Sequence, residues 1–176
     1  MILIQDYIKC YENILGPEVC ERIIKEENYD FKRATIHGGI TSSARKCYAQ
    51  FVDKKFDSIL YESFGKILKL YREEFVNFST GLTCEDTGYQ HLWYKGMEEG
   101  EYKEHTDHFD LQPRTLSCSL ILNDDYDGGD FSFFNGEHII PKKTGDAVVF
   151  PSNFCFPHSV TPVTSGDRHS VVTWFH

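Results

Sequence analysis

The carboxy-terminal half of the chain alternates short apolar segments with turn-forming clusters, and this pattern limits the fold more than any other feature. From residue 85 onward, runs rich in Val, Ile, Phe, Tyr and Trp are separated by Asn123-Asp124-Asp125, Asp127-Gly128-Gly129, Asn135-Gly136 and Ser165-Gly166-Asp167. Strands that recur about every 8–12 residues are typical of a sandwich or a small barrel. Asn135-Gly136 between two such runs also predicts a hairpin. The sequence therefore predicts an antiparallel β unit.

The amino-terminal region is expected to supply helices. Gly16-Pro17-Glu18 places a proline at the first helical position and predicts a helix over residues 17–28. Apolar residues then recur at steps of three and four from Phe56 to Phe75. This spacing predicts an amphipathic helix of about six turns that packs on a sheet and ends at Ser79-Thr80-Gly81.

A single domain is expected, because 176 residues suffice for one core but not for two full ones. Residues 1–82 are predicted to form a strand and helix support region, and residues 83–176 the β core. The predicted fold class is mainly β with an α layer (α+β).

Composition and charge restrict the partners and the compartment. The balance of 18 Lys and Arg against 27 Asp and Glu gives a net charge of −9, which argues against a nucleic-acid-binding protein but leaves room for a local basic groove. No apolar run approaches the roughly 20 residues that span a bilayer, and the first residues lack the features of a signal peptide. Six cysteines without a Cys-x-x-Cys pair predict reduced, mostly buried thiols. These features together predict a cytoplasmic protein without a membrane span.

A His-x-Asp pair and two later basic residues suggest a metal site. His105 and Asp107 are two residues apart, so on a β-strand their side chains would project from one face. With His158 from a distant strand they form a set of two imidazoles and one carboxylate, which suits non-haem Fe(II). Arg168 is followed two residues later by Ser170, a combination suited to holding a buried carboxylate.

A competing register exists, because His108-Phe109-Asp110 is also a His-x-Asp pair. The two-residue period of a strand places residues 105 and 107 on one face and residue 108 on the other, so both pairs cannot serve the same site. Strand patterning favours the first pair. We expect His108 and Asp110 at the exit of the strand, with His108 near the mouth of the site.

A wider set of residues carries a family resemblance: Tyr94, Tyr102, His105-Thr106-Asp107, Arg114-Thr115-Leu116-Ser117, Leu122-Asn123-Asp124, Gly128-Gly129-Asp130-Phe131, Pro141-Lys142-Lys143-Thr144-Gly145-Asp146-Ala147, His158, Gly166-Asp167-Arg168 and Trp174. In these residues the chain resembles the 2-oxoglutarate and Fe(II)-dependent oxygenases, and most closely their prolyl 4-hydroxylase-like branch. The resemblance implies a double-stranded β-helix (distorted jelly roll) backed by the amino-terminal helices. It also implies that Fe(II) is bound by His105, Asp107 and His158.

The same resemblance implies how the co-substrate is held. Arg168 would pair with the distal carboxylate of 2-oxoglutarate and Ser170 would assist. Tyr94 looks like the tyrosine that hydrogen-bonds the co-substrate near the metal, and the alternative is a core aromatic with its hydroxyl at the surface. One departure is that Ser119-Leu120-Ile121 stands where the oxygen-sensing prolyl hydroxylases carry a supporting tyrosine.

By this resemblance the protein would use Fe(II), 2-oxoglutarate and O2, with ascorbate as a reductant. 2-Oxoglutarate would be decarboxylated to succinate while a substrate C–H bond is hydroxylated. The expected substrate is a prolyl residue of a polypeptide. The alternatives are the same chemistry on another side chain, a small metabolite or a nucleobase, and a non-catalytic sensor of metal or 2-oxoglutarate.

Overall fold

The computed structural model describes residues 3–26, 30–36, 39–76, 85–109 and 113–176. Two α-helices lie in the amino-terminal part of these ranges, α1 (Pro17–Glu26) and α2 (Asp57–Glu74). The strands of the described residues, in chain order, are β1 (Lys9–Tyr11), β2 (Lys32–Arg33), β3 (Arg45–Lys46), β4 (Tyr48–Phe51), β5 (Gln90–Lys95), β6 (Glu101–His105), β7 (Leu116–Ile121), β8 (Asp127–Gly128), β9 (Phe131–Phe133), β10 (His138–Ile139), β11 (Ala147–Pro151), β12 (His158–Val160), β13 (Val163–Ser165) and β14 (Asp167–Phe175).

The strands form two main antiparallel sheets. Within the described residues the larger sheet has the order β1-β11-β7-β14-β5-β4-β2, and the smaller has the order β10-β9-β12-β6-β3. A short pair, β8 and β13, lies beside them. Because the chain passes repeatedly between the sheets, the architecture is a double-stranded β-helix with a helical layer, as the sequence predicted.

The helical layer packs on one face of the larger sheet. α2 buries Leu60, Phe64 and Ile67 in one apolar cluster with sheet residues such as Val171 and Phe175. The other face of β14 carries Arg168, Ser170 and Trp174, because side chains alternate along a strand. One face of β14 therefore belongs to the core, and the opposite face lines the space between the sheets.

The predicted length of the second helix needs a small correction. α2 has 18 residues, so it makes about five turns rather than six. It ends where the backbone N–H of Phe75 bonds the carbonyl of Tyr71, and the predicted stop at Ser79-Thr80-Gly81 lies outside the described residues. α1 begins at Pro17 as predicted, and its predicted end at residue 28 lies outside the described residues. The predicted hairpin is present, with β9 paired to β10 around Asn135-Gly136.

The amino-terminal region contributes more than support. β1, β2 and β4 all belong to the larger sheet, and β3 pairs with β6 of the smaller one. The division into residues 1–82 and 83–176 stays a prediction. Among the described residues, no helix has the length and apolar character needed to cross a membrane.

Candidate metal and co-substrate site

Three side chains converge between the two sheets. His105 is the last residue of β6 and His158 is the first of β12, and these residues face each other across the paired strands. Nε2 of His105 lies 3.7 Å from Asp107 Oδ1, and Nε2 of His158 lies 3.6 Å from Asp107 Oδ2. One ligand atom from each residue lies within 4.8 Å of the others. The sequence grouped these residues, and the structure brings them together.

The route by which Asp107 reaches this position differs from the expectation. His105 and Asp107 were predicted to lie on one strand, and this is wrong because β6 ends at His105. Asp107 follows in the segment after the strand, where it is held by side-chain hydrogen bonds rather than by sheet pairing. The two side chains are neighbours, but strand alternation is not the reason.

A β-bulge in β6 places the ring of Tyr102 beside the metal site. His158 pairs with His105 while Val160 pairs with Tyr102, so the four residues 102–105 of β6 oppose the three residues 158–160 of β12. Such a bulge changes the alternation of side chains. Tyr102 and His105 consequently share a face, and their rings stack with centroids 3.4 Å apart.

Both imidazoles are oriented by backbone carbonyls. Nδ1 of His105 lies 2.8 Å from the carbonyl of Lys103, and Nδ1 of His158 lies 3.0 Å from that of Phe156. A carbonyl only accepts, so each Nδ1 carries a proton, and Nε2 is the atom of each ring that faces Asp107. Burial, and next the nearby His158, lower the pKa of His105 to about 3. The imidazole of His105 is therefore neutral at physiological pH, as a metal ligand must be.

Two residues fix the carboxylate. Oδ2 of Asp107 accepts hydrogen bonds from Ser117 Oγ at 2.7 Å and from Trp174 Nε1 at 3.0 Å. Burial alone would raise the pKa of Asp107, but His158, His105 and these two hydrogen bonds outweigh it and lower the pKa. The carboxylate is therefore ionised, and these outer hydrogen bonds hold its orientation.

His108 of the competing pair does not belong to the triad. His108 is exposed and lies at the rim of the cavity, which agrees with its expected place near the mouth. Asp110 lies outside the described residues. The triad of the described residues that can hold a metal ion contains His105 and Asp107.

The triad opens into a cavity of about 740 Å³ between the sheets, and the predicted carboxylate clamp lines the same cavity. Arg168 and Ser170 are both buried, at 4% and 1% exposure, and Arg168 Nη1 donates to Ser170 Oγ at 3.1 Å. Nε of Arg168 is also buried and has no hydrogen-bond partner in the described part of the chain. A buried donor without a partner is costly, so this arginine is suited to receive an anion.

Tyr94 lies beneath the guanidinium of Arg168, with its ring centroid 5.0 Å from Cζ. It lines the cavity and is 1% exposed, so its hydroxyl is not at the surface. Burial, and next the Cys47 thiol, raise the pKa of Tyr94, which keeps the hydroxyl protonated as a donor. Of the Ser119-Leu120-Ile121 segment, Ser119 lines the cavity.

The residues whose roles sequence reasoning missed are Ser117 and Trp174. Both were noted in the family pattern, but no contact with Asp107 was predicted. The alternation of β14 could have indicated Trp174, because it has the parity of Arg168 and Ser170. The contacts that the carbonyls of Lys103 and Phe156 make with the imidazoles could not be predicted from the sequence, because every residue type carries a backbone carbonyl.

Comparison with known protein families identifies a match over half of the chain. A family model described as the 2OG-Fe(II) oxygenase superfamily matches residues 89–176. This range contains the metal-site triad, the arginine clamp and Trp174.

Curated relatives match over shorter segments. A PKHD-type hydroxylase of Psychrobacter sp. (strain PRwf-1) is 43% identical over 74 residues, which cover 40% of this chain and 28% of that protein. Prolyl 3-hydroxylase 2 of Mus musculus is 39% identical over 67 residues, which cover 35% of this chain and 10% of that protein. The chain thus spans less than a third of the length of these two relatives. A putative prolyl 4-hydroxylase of Acanthamoeba polyphaga mimivirus is 26% identical over 183 residues, which cover 93% of this chain and 71% of that protein.

Two solved structures share the fold over nearly the whole chain. A prolyl-4-hydroxylase of Pseudomonas putida superposes with a TM-score of 0.71 at 23% identity and covers 97% of this chain and 92% of that one. A prolyl hydroxylase of Trichoplax adhaerens, solved with a peptide fragment of the hypoxia inducible factor oxygen degradation domain, has a TM-score of 0.71 at 16% identity and covers 96% and 83%. At these identities the similarity establishes the double-stranded β-helix alone.

Proposed function

Because this chain belongs to the 2OG-Fe(II) oxygenase superfamily, we propose that it is a 2-oxoglutarate- and Fe(II)-dependent dioxygenase that hydroxylates a prolyl residue of a polypeptide. The observation that carries this proposal is the convergence of His105, Asp107 and His158 within one cavity that also contains Arg168. A metal-binding face and a buried arginine whose Nε has no described hydrogen-bond partner are the two parts that an anionic, metal-chelating co-substrate requires.

The donor set fits Fe(II). Two imidazoles oriented through Nδ1 by backbone carbonyls and one ionised carboxylate are the donor set that suits non-haem Fe(II). When bound, the iron and 2-oxoglutarate would supply the oxidation, in which O2 is consumed, 2-oxoglutarate is decarboxylated to succinate and a C–H bond gains a hydroxyl.

The chain's own residues position these groups. Lys103 and Phe156 orient the imidazoles through their carbonyls, and Ser117 and Trp174 orient Asp107. Arg168 would bind the distal carboxylate of 2-oxoglutarate, with Ser170 keeping the guanidinium in place. The ring of Tyr94 packs under the guanidinium of Arg168, and its protonated hydroxyl is available as a donor. Burial of the clamp strengthens each of these interactions, because less water competes for the charges.

The prolyl substrate is supported by the names of the relatives, which include a prolyl 3-hydroxylase and a putative prolyl 4-hydroxylase. One of the structural neighbours was solved with a peptide fragment, which supports a polypeptide substrate. Ascorbate as a reductant and a cytoplasmic location remain predictions.

The test is to incubate the protein with Fe(II), 2-oxoglutarate, air and ascorbate, together with proline-containing peptides or free proline. Mass spectrometry should find one added oxygen atom on a peptide, with succinate formed in equal amount. Asp107→Ala should abolish both products, and His108→Ala is the matched control that should retain them. Succinate without an oxidised prolyl product would overturn the prolyl assignment, and the absence of succinate would overturn the dioxygenase assignment.

A further inference from the structure

The cavity has the opposite charge character from the protein as a whole. The chain carries a net charge of −9, yet the described residues that line the cavity include two carboxylates, Glu104 and Asp107, and six cationic side chains, Lys32, Arg33, Arg45, Lys103, Arg114 and Arg168. A cavity lined mainly by one sign of charge concentrates ligands of the other sign. The local basic groove that the net charge left open is thus present, and it coincides with the proposed active site.

Much of this charge is already compensated at the rim. Arg33 pairs with Glu98 at 3.1 Å, and Lys32 lies 3.6 Å from Asp30. Glu104 accepts a hydrogen bond from the backbone N–H of Asn135 at 2.6 Å, so it is directed to the connection between β9 and β10. The cations that matter are therefore the deeper ones.

The ring of Tyr102 lies between Arg45 and the metal-site residue His105. Its Cζ is 4.7 Å from the ring centroid of Tyr102, which in turn stacks on His105. Nη1 donates to the carbonyl of Thr35 at 2.8 Å, whereas Nε is buried and has no hydrogen-bond partner among the residues that the structure describes. Among the described residues, no carboxylate lies within ion-pair distance of Arg45. Its guanidinium lines the cavity with donor capacity left over.

Arg114 is a second deep cation of this kind. Its guanidinium stacks over Trp174, with Cζ 3.8 Å from the ring centroid, and makes a long 3.4 Å contact with the backbone carbonyl of Asp107. Burial lowers the pKa of Arg114, Asp107 and then Tyr102 oppose this effect, and the nearby Arg45 adds a smaller effect in the same direction as burial. The two guanidinium groups therefore repel each other across a space that holds no described counter-ion other than Asp107.

Binding of the proposed metal and co-substrate leaves these two charges unmatched. Fe(II) and Arg168 together carry three positive charges, which the two carboxylates of 2-oxoglutarate and the carboxylate of Asp107 balance as a group. Buried charges in proteins are normally paired. We propose that Arg45, assisted by Arg114, binds a carboxylate of the substrate close to the carbon that is hydroxylated. This inference rests on the proposed function and adds a substrate class, an acidic one.

The carboxylate could come from two sources, and the test separates them. Labelled peptides carry a central proline, with either an aspartate or an asparagine placed in turn at each flanking position. Free proline and prolinamide form the second arm. The protein is loaded with Mn(II) and 2-oxoglutarate under nitrogen, so that binding is measured without turnover.

We expect the best aspartate peptide to bind roughly ten- to hundredfold more tightly than its asparagine counterpart, as expected for a charge-assisted hydrogen bond. Added salt should reduce this ratio. A preference for proline over prolinamide, with no preference among the peptides, would assign the carboxylate to a free amino acid. Equal binding of the acidic and amide forms in both arms, or no binding of either, would overturn the inference.

Substitutions of Arg45 test whether this residue causes the preference for acidic peptides. In Arg45→Met, the acidic and amide forms should bind with equal affinity. Arg45→Lys, which keeps a positive charge on a similar side chain, should retain part of the preference for the acidic form. Arg33→Met is the matched control, because its guanidinium lines the same cavity but already pairs with Glu98. A ratio that survives in Arg45→Met, or that is lost equally in Arg33→Met, would contradict the assignment.

The outcome is independent of whether proline is the residue oxidised. Oxygen incorporation into acidic and amide peptides at equal rates and affinities would leave the proposed function intact and overturn the acidic class. A clear preference in binding without any oxygen incorporation would support the acidic class and overturn the prolyl function.

Discussion

Trp174 Nε1 donates a hydrogen bond of 3.0 Å to Asp107 Oδ2, and it does so from the strand that also carries Arg168. Arg168, Ser170 and Trp174 all line the cavity from β14. A single strand thus orients the carboxylate of the metal site and supplies the cation proposed for the co-substrate. The geometry of the two sites is coupled through β14, whose partners β5 and β7 hold it on both sides.

Trp174→Phe should weaken metal binding by about ten- to a hundredfold, because it removes an outer hydrogen bond to a ligand but keeps an aromatic ring below Arg114. Calorimetric titration with Mn(II) measures the effect. Trp93→Phe is the matched control, since Trp93 Nε1 donates to Asp167, which is not part of the triad. Equal affinities of the two variants would show that the bond to Asp107 does not tune the metal site.

Arg168→Met should weaken 2-oxoglutarate binding by several kcal/mol, of the order of a buried charge-assisted pair, and should leave the Mn(II) affinity nearly unchanged. Ser170→Ala should cost only about 1 kcal/mol, because it removes one hydrogen bond to the guanidinium. Calorimetry with the metal already bound gives both numbers. Unchanged co-substrate affinity in Arg168→Met would mean that another residue binds the distal carboxylate of 2-oxoglutarate.

A buried histidine pair should make the metal-free protein sensitive to acid. Nε2 of His91 lies 2.9 Å from Nδ1 of His169, and burial, followed by His91, lowers the pKa of His169 to about 3. In the unfolded chain a histidine titrates near 6.5. The unfolded state therefore binds more protons between these values, and the free energy of unfolding falls as the pH falls through this window, by about 2 kcal/mol from His169 alone at pH 5.

Urea unfolding of the metal-free protein at pH 7 and pH 5 tests this expectation. His105 shares the same direction of shift, so the wild-type protein should lose more than one residue accounts for. His169→Gln should reduce the loss between the two pH values. An identical loss in His169→Gln and the wild-type protein would show that His169 does not contribute.

Gly128→Ala should destabilise the protein much more than Gly136→Ala. Both glycines have a positive φ, 68° and 86°, so both substitutions carry the cost of a left-handed alanine, about 1 kcal/mol. A Cβ at Gly128 would also lie 2.2 Å from the carbonyl oxygen of Pro162, whereas nothing lies within 4 Å of one at Gly136. The clash would force β8 from β13, at a further cost of about 2 kcal/mol or more. Urea unfolding measures the loss in the free energy of unfolding for each variant. Equal losses would mean that β8 and β13 can move apart at little cost.

Local patterns were enough to predict much of the fold and the grouping of the site residues. The three- and four-residue spacing of α2 and the turn chemistry at Asn135-Gly136 are local signals, and both elements formed where expected. Arg168 and Ser170 share a face for the reason given by the two-residue period. Such features depend on neighbours in sequence, which the sequence displays directly.

The features that escaped prediction depend on long-range pairing. The register shift between β6 and β12 brings Tyr102 onto His105, and neither strand alone reveals it. Asp107 is held by Ser117 and Trp174 from two other strands, after its own strand has ended. Arg45 enters the cavity because the two-residue β3 pairs with β6. These pairings are set by the packing of the whole sheet, so they have no local signature.

The central claim is that His105, Asp107 and His158 hold the metal, and electron paramagnetic resonance of Mn(II) titrated into the protein tests it most directly. The wild-type protein and His108→Ala should each bind one Mn(II) ion with similar affinity, and 2-oxoglutarate should change the spectrum of both. His105→Ala should lose this binding while remaining folded by circular dichroism. Wild-type affinity in His105→Ala, or loss of binding in His108→Ala, would contradict the account.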